Sequence, residues 1–311
     1  MKNKQKILSI SRRTDIPAYY TDWLVRRMKL AHTAYPNPVS GKPVFISLKP
    51  DHVKAIVFWT RNPIPLFAHL DFIDERYKHY MHLTINGLPK ILEHNNPSVD
   101  KIIEAARFLS KRYGKNYIQW RFDPIILSTV TPVDFILRRF EYIAAQLTGY
   151  IENCYISYVD LYKKTINNFE KVTREHRIKF SHPSQQEEKE ITHKLAHIAK
   201  SYGITVNVCA EDHLADIDNV QIAQCINVDL INKITGVPLK SFTIQKSRDG
   251  CHCINGPDIG YYDSCPHGCI YCYSNKSPDR ALKNARNYRR LGFPMDDLVM
   301  PGKDEKQLRL F

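Results

Sequence analysis

Residues 265–275 read CPHGCIYCYSN and set Cys265, Cys269 and Cys272 at C-x3-C-x2-C spacing, with Tyr271 directly before the last thiol. Three thiolates this close can hold three irons of a [4Fe–4S] cluster and leave the fourth iron open. An open iron can chelate the amino and carboxylate groups of S-adenosylmethionine. One electron from the cluster then splits the sulfonium and releases a 5′-deoxyadenosyl radical that abstracts hydrogen from a substrate. Pro266 and Gly268 permit a tight loop around a metal, and Tyr271 can pack over the cofactor adenine. From Ser277 the stretch SPDRALKNARNYRRL reads as a helix behind the loop, with Ser277 as cap and Pro278 in its first position. Zinc is the competing metal: Cys251-x-Cys253 with the later cysteines could supply a four-thiolate site. The three-cysteine spacing suits a cluster better than the paired CxxC of zinc ribbons.

The chain has eight cysteines, five of them between Cys251 and Cys272. Outside the loop, Cys209, Cys225, Cys251 and Cys253 number four, as many as a closed second [4Fe–4S] cluster needs. Cys209 ends a strand pattern. Cys225 falls in IAQCINVDLI, which reads as helical, so a buried core thiol is its plain alternative. Cys154 opens an apolar run and is read as core.

The elements that must carry these residues show as period changes. Short runs rich in β-branched and aromatic residues lie at 7–10, 44–48, 55–59, 80–85, 117–122, 154–159 and 204–208 and read as buried strands. Amphipathic stretches lie between them at 20–30, 98–112, 132–147 and 185–202. The last opens with Ser184-x-x-Glu187, a capping box. Strand–helix alternation implies an α/β fold with a parallel sheet. The expected architecture is a partial TIM-like (β/α)6 barrel of mostly parallel strands with a C-terminal iron–sulfur cluster loop and helix. The run at 44–48 is an added strand, or a seventh core strand. A doubly wound open sheet is the competing layout. Residues 1–240 form the barrel. Residues 241–311 form a cysteine-rich segment packed on its mouth, within one structural unit. Residues 160–184 are read as an irregular excursion.

Carboxyl ends of parallel strands converge on one face, where ligands bind. Arg12, Arg13 and Asp15 follow the first strand, Arg121 and Asp123 close the fifth run, and Glu211 follows Cys209. Arginine can hold a carboxylate or phosphate bidentately. Asp15 can orient it or meet a ribose hydroxyl, and Glu211 could accept from the adenosylmethionine amino group. The alternatives are ion pairs closing the mouth and, for Glu211, a helix-start carboxylate. Asp258 and Asp263 are read as caps of loop turns, and His267 as a loop-surface residue.

With 311 residues and 43% hydrophobic content the chain can bury a large core. No apolar run reaches the length of a membrane span. The basic start is too short in its apolar part for a signal peptide. The chain is read as cytoplasmic, where a cysteine cluster holds metal rather than disulfides. A net charge of +13 permits an anionic partner such as nucleic acid or a phosphorylated metabolite.

C-x3-C-x2-C with an aromatic before the last cysteine resembles the radical SAM superfamily, and CIYCY most resembles its spore photoproduct lyase branch. SRRTDIP (11–17), FWTRNP (58–63), WRFDP (120–124), ISYVDLY (156–162), CAE (209–211) and CHCINGPDIGYYDSCPHGCIYCYSN (251–275) are similar to an uncharacterised bacterial family, domain of unknown function 1848. The resemblance implies a radical-SAM-like iron–sulfur protein of unnamed reaction. The superfamily's cluster loop follows the first barrel strand, whereas here it follows all of them. Either the order is circularly permuted, or the tail folds back over the mouth, which resembles phosphomethylpyrimidine synthase. No GGE-type stretch follows Cys272. The expected activity is reductive cleavage of S-adenosylmethionine, served by an electron donor such as flavodoxin or ferredoxin, on a small-molecule or nucleic-acid substrate. Nucleic-acid repair or modification by the same chemistry, and a non-catalytic iron–sulfur or zinc protein, stand as alternatives.

Overall fold

A computed structural model describes residues 5–37, 39–239, 242–244 and 250–296. The strands are β1 (Lys6–Ile10), β2 (His32–Pro36), β3 (Pro43–Ser47), β4 (Val53–Thr60), β5 (His79–Thr84), β6 (Ile118–Ile125), β7 (Leu127–Ser128), β8 (Asn153–Tyr158), β9 (Phe180–Ser181), β10 (Thr205–Val208) and β11 (Val220–Ile222). The helices are α1 (Ile16–Tyr19), α2 (Thr21–Leu30), α3 (Leu70–Asp74), α4 (Val99–Tyr113), α5 (Val133–Leu147), α6 (Lys163–His176), α7 (Gln185–Ser201), α8 (Val228–Thr235) and α9 (Pro278–Leu291).

A seven-stranded sheet runs in the order β1-β4-β5-β6-β8-β10-β11, and each neighbouring pair is parallel. The architecture is therefore mixed α/β around one large parallel sheet. The four amphipathic stretches are α2, α4, α5 and α7. The capping box of α7 forms, with Ser184 and Glu187 exchanging side-chain and backbone bonds. Ser277 caps α9 by accepting from the Arg280 N–H.

Period-2 alternation gives each strand two different faces. On β6, Trp120 and Phe122 point to one side and pack on Phe140 of α5, at ring separations of 4.9 and 5.1 Å. All three are fully buried, and burial of each contributes about 2–3 kcal/mol. Arg121 points to the other side, as do Trp59, His82 and Tyr155 of neighbouring strands. There His82 stacks on Trp59 at 4.2 Å and meets Tyr155 edge-on at 5.0 Å. Both faces of the sheet are thus covered, one by apolar packing against helices and one by a polar and aromatic layer.

Three expectations are corrected. The run at 44–48 is a strand, but it pairs antiparallel with β2 in a separate hairpin and joins the main sheet neither as a core nor as an added member. The Asn37 side chain accepts from the N–H groups of Val39 and Ser40, and Gly41 takes φ +68°, so a tight turn fixes that pairing. The seventh strand is instead β11. Residues 160–184 contain the helix α6, whose apolar stripe is narrow: Phe169 and Val172 are buried and most of its other positions are polar. Cys225 lies in no helix; it follows β11 and precedes α8, which begins at Val228.

At the other end of the sheet Asp74 receives hydrogen bonds from His79, Arg112 and Tyr113. Burial alone would raise its pKa, but these bonds outweigh burial and hold it at about 2. A depressed carboxylate stabilises the fold above its unfolded pKa, and that contribution fades as pH falls through the folded value. Acid titration of wild type is expected to lose this contribution between about pH 4 and pH 2. The Asp74→Asn variant should show a flatter stability profile in that window by urea unfolding at each pH.

Candidate functional site

The carboxyl ends of β1, β4, β5, β6, β8, β10 and β11 lie along one side of the sheet, because all seven strands run the same way. The tail returns to that side. Pro257–Ile259 runs beside β1, with Ser9 N–H donating to Pro257 O and Ile259 N–H to Ser9 O. The cysteine loop lies on the segment after β5: Asn95 N–H donates to His267 O, and Ile270 N–H to Leu92 O. Gly260 permits the close approach, since a Cβ there would stand 1.9 Å from Ser11 Oγ.

Asp15 is the hub beneath the loop. Its Oδ1 accepts from Ala18 N–H at 3.0 Å and Thr60 Oγ at 2.6 Å. Its Oδ2 accepts from Arg61 N–H at 2.7 Å and from His267 Nε2 at 2.7 Å. A carboxylate only accepts, so Nε2 of His267 carries the hydrogen. Tyr19 OH meets Nδ1 at 3.1 Å. His267 is therefore not a loop-surface residue but is 2% exposed, locked between Asp15 and Tyr19. Asp258 accepts from the hydroxyls of Ser9 and Ser11 and the backbone N–H groups of Arg12 and Gly260. Asp263 accepts from the Lys276 N–H and meets Arg280 Nε at 3.2 Å, closing the loop onto α9.

The three loop thiols are brought together. Burial raises the pKa of Cys265 well above the usual thiol range, with Asp15, Cys272 and Cys269 adding to it. Burial pushes Cys269 up to about 12, against the favourable charge of Arg61. Cys272 is raised by burial, while N–H groups of Ser274 and Asn275 pull it down. Thiols that raise one another ionise together only when a cation shares their charge. Three thiols near enough to act on one another's ionisation are the donor type that an iron–sulfur cluster takes. Among the described residues, no three His, Cys, Asp or Glu side chains stand in a metal-holding arrangement as they lie.

Beside Cys269 is an ion pair that sequence reasoning did not single out. Arg61, at the end of β4, meets Glu93 at 2.7 Å, with side chains 15% and 3% exposed. Tyr271 OH bonds both members. Asn86 and Asn96 donate to the Glu93 carboxylate at 3.1 and 2.6 Å. The hydroxyl end of Tyr271 is thus fixed to protein. Arg61 belongs to the FWTRNP stretch and sits at a strand end, which is the signal that could have found it. Glu93 lies in a loop and offers no such signal.

The other predicted residues separate into three places. Arg12 and Arg121 both lie over Trp59, at 5.7 and 5.4 Å from its centroid. Arg12 pairs with Asp258 at 3.6 Å, and Arg121 with Asp123 at 2.8 Å. Asp123 also accepts from Ser157. Arg13 stands apart, between Tyr35 and Tyr262 at 5.7 and 5.3 Å, on a cavity of about 550 Å³ that Arg12 also lines. Glu211 accepts from Tyr158 N–H and precedes the short turn Asp212–Leu214. His82 stays neutral: burial and the charge of Arg121 hold its pKa well below the usual histidine range. Its Nε2 donates to Cys225 O at 2.7 Å.

The second set of thiols also gathers. Cys209 and Cys225 Sγ are 3.9 Å apart, and Arg121 donates to Cys225 Sγ at 3.3 Å. Cys253 interacts through its side chain with both Cys225 and Cys251. Cys154 is a core residue of β8, fully buried.

A family model described as Domain of unknown function (DUF1848) matches residues 7–274. The chain belongs to this family. The DUF1848 match begins within β1 and ends two residues after Cys272, so the sheet and the cysteine loop fall inside one family unit, while α9 lies beyond it. A comparison with curated proteins gives no match. Among the described residues no helix is long and apolar enough to cross a membrane.

Proposed function

We propose that this protein is a radical S-adenosylmethionine enzyme. The observation that carries the reading is the seating of Cys265, Cys269 and Cys272 against the carboxyl ends of a parallel sheet, beside the buried Arg61–Glu93 pair. In this reading the three thiolates hold a [4Fe–4S] cluster, which supplies the electron that cleaves S-adenosylmethionine to methionine and a 5′-deoxyadenosyl radical. Arg61 offsets thiolate charge at Cys269. Tyr271, fixed by its hydroxyl, offers its ring as a wall of the site. Arg12, held by Asp258 over Trp59 and partly exposed, offers its guanidinium to an anionic group of cofactor or substrate, and Arg121, buried against Asp123, backs the same ring. Asp15 acts by fixing the loop, Arg13 acts from the cavity that Arg12 also lines, and Glu211 acts from beyond β10.

We read the sheet as a partial TIM-like barrel. Its strand order follows the chain order, and the face opposite α5 is itself buried by Trp59, His82, Arg121 and Tyr155. A sheet curled on itself accounts for both. A low-potential donor such as flavodoxin or ferredoxin supplies electrons, and reduced thiols suit the cytoplasm. The substrate is a small molecule or a nucleic acid.

The test is EPR of the anaerobically reconstituted, reduced protein with and without S-adenosylmethionine, paired with a dithionite assay for 5′-deoxyadenosine. A cluster signal that shifts on adding the cofactor, with 5′-deoxyadenosine released, is the expected result. Zinc in place of iron, or a signal indifferent to the cofactor, overturns the reading. Retention on DNA or RNA that weakens with salt identifies a nucleic-acid substrate.

A further inference from the structure

The thiols of Cys209, Cys225, Cys251 and Cys253 take no part in the chemistry assigned to the cysteine loop, yet they come from three separate segments. Cys209 ends β10, Cys225 follows β11, and Cys251 and Cys253 lie on the returning tail. The tail is strapped to the other two segments. Ile254 N–H donates to Ile226 O at 3.4 Å, Gln224 Nε2 donates to His252 O at 3.2 Å, and His252 meets Asp212 at 2.9 Å. Gly250 adopts φ +71° against Ala210, and a Cβ there would stand 3.1 Å from the Ala210 backbone. The result is a row of side-chain contacts from Cys209 to Cys225 to Cys253 to Cys251. Cys225, Cys251 and Cys253 are buried, and Cys209 is half-buried.

One feature distinguishes this row from four small apolar side chains in a core. A guanidinium N–H of Arg121 points at Cys225 Sγ at 3.3 Å, and a cation directed at sulfur is matched to thiolate rather than thiol. The 3.9 Å between Cys209 and Cys225 is an ordinary contact between thiols that is also compatible with the edge of a tetrahedron of sulfurs around one ion. Metal–sulfur bonds of about 2.3 Å put that edge at about 3.8 Å. Four thiolates around a divalent ion carry excess negative charge, and Arg121, shared with Asp123, places one guanidinium N–H on the sulfur of Cys225.

We propose that Cys209, Cys225, Cys251 and Cys253 form a second metal centre, closed by four thiolates and separate from the cysteine loop. Its ligand chemistry is that of a thiophilic metal, as one tetrahedral ion or as a second [4Fe–4S] cluster. Side-chain rotation closes the row around it. A centre with all positions filled by protein is structural or relays electrons, and it ties the tail to the ends of β10 and β11.

The test uses the full chain with Cys265→Ala, Cys269→Ala and Cys272→Ala, so that metal at the loop does not contribute. Metal per chain is counted by mass spectrometry, and the apo protein is titrated with Co²⁺. Expected is retained metal and an intense sulfur-to-cobalt absorption band. One ion per chain identifies the tetrahedral filling, and four irons the cluster. Adding Cys225→Ser and Cys253→Ser should remove both signals. Circular dichroism monitors folding of each variant. The same triple variant gives a second readout: four thiols should become reactive towards a thiol reagent only after a chelator is added. A folded triple variant with no metal and no cobalt band overturns the centre, whatever the cysteine loop does.

Discussion

Cys269→Ala is expected to reduce dithionite-dependent release of 5′-deoxyadenosine to the level of protein-free controls, and to remove the iron bound at the loop. Two thiolates cannot hold the cluster that three would hold. The fold should survive. Cys269 is only half-buried and its loss removes one sulfur, so the destabilisation expected is about 1 kcal/mol. Cys154→Ala is the matched control. That thiol is wholly buried in β8, so its removal should cost stability by a similar amount or more and leave iron and activity unchanged. Iron analysis and product assay on the two variants separate the roles. Full iron in Cys269→Ala, or loss of iron in Cys154→Ala, would mean that the loop is not the cluster site.

The contrast between these two cysteines shows what the sequence made legible. Cys154 opens a β-branched and aromatic run, and a residue in such a run faces a core. Cys269 sits among Pro266, His267 and Gly268, where no core pattern exists. Local periodicity likewise placed the six principal strands and the main amphipathic helices, because burial of one face writes a period into the chain. It failed where burial is slight. Val220–Ile222 is too short to show alternation, and in α6 the narrow stripe of Phe169 and Val172 stands among so many polar residues that the stretch reads as irregular. The run at 44–48 shows the opposite failure. Its apolar run is real, but the partner that claims it is set by the Asn37 turn, and a run alone does not name its partner.

The site was legible in kind more than in arrangement. Cysteine spacing and polar strand ends are local. The bond from His267 to Asp15 spans 252 positions, and nothing near His267 in sequence distinguishes it from a surface histidine. Cys225 offers a related case. IAQCINVDLI reads as one helix until the structure divides it, leaving the cysteine at a strand end beside Cys209. Long-range pairing turns two scattered thiols into neighbours, and only the fold carries that information.

Arg61→Met is expected to cost about 3–5 kcal/mol of stability, the second large effect, because it leaves Glu93 buried with its charge uncompensated. Typical domains have only about 5–15 kcal/mol to lose, so the midpoint in urea should fall steeply. The carboxylate would keep the amides of Asn86 and Asn96 and the hydroxyl of Tyr271, but none of these supplies positive charge. Adding Glu93→Leu removes the stranded charge, so the double variant should regain much of the stability lost by Arg61→Met. A coupling energy of more than about 1 kcal/mol in this cycle marks the pair as buried and direct. Additive effects would contradict the contact at 2.7 Å. Iron loading should behave differently from stability. Arg61 lowers the pKa of Cys269 and Cys272 against the raising effect of burial, and the double variant still lacks that charge. The double variant should therefore fold well and bind iron poorly. Arg61→Lys, which keeps a point charge but loses the fork that reaches both Glu93 and Tyr271, should fall between wild type and Arg61→Met in iron content. Recovery of iron together with stability in the double variant would reduce Arg61 to a structural partner of Glu93. Recovery of stability alone would place its charge in the working of the cysteine loop.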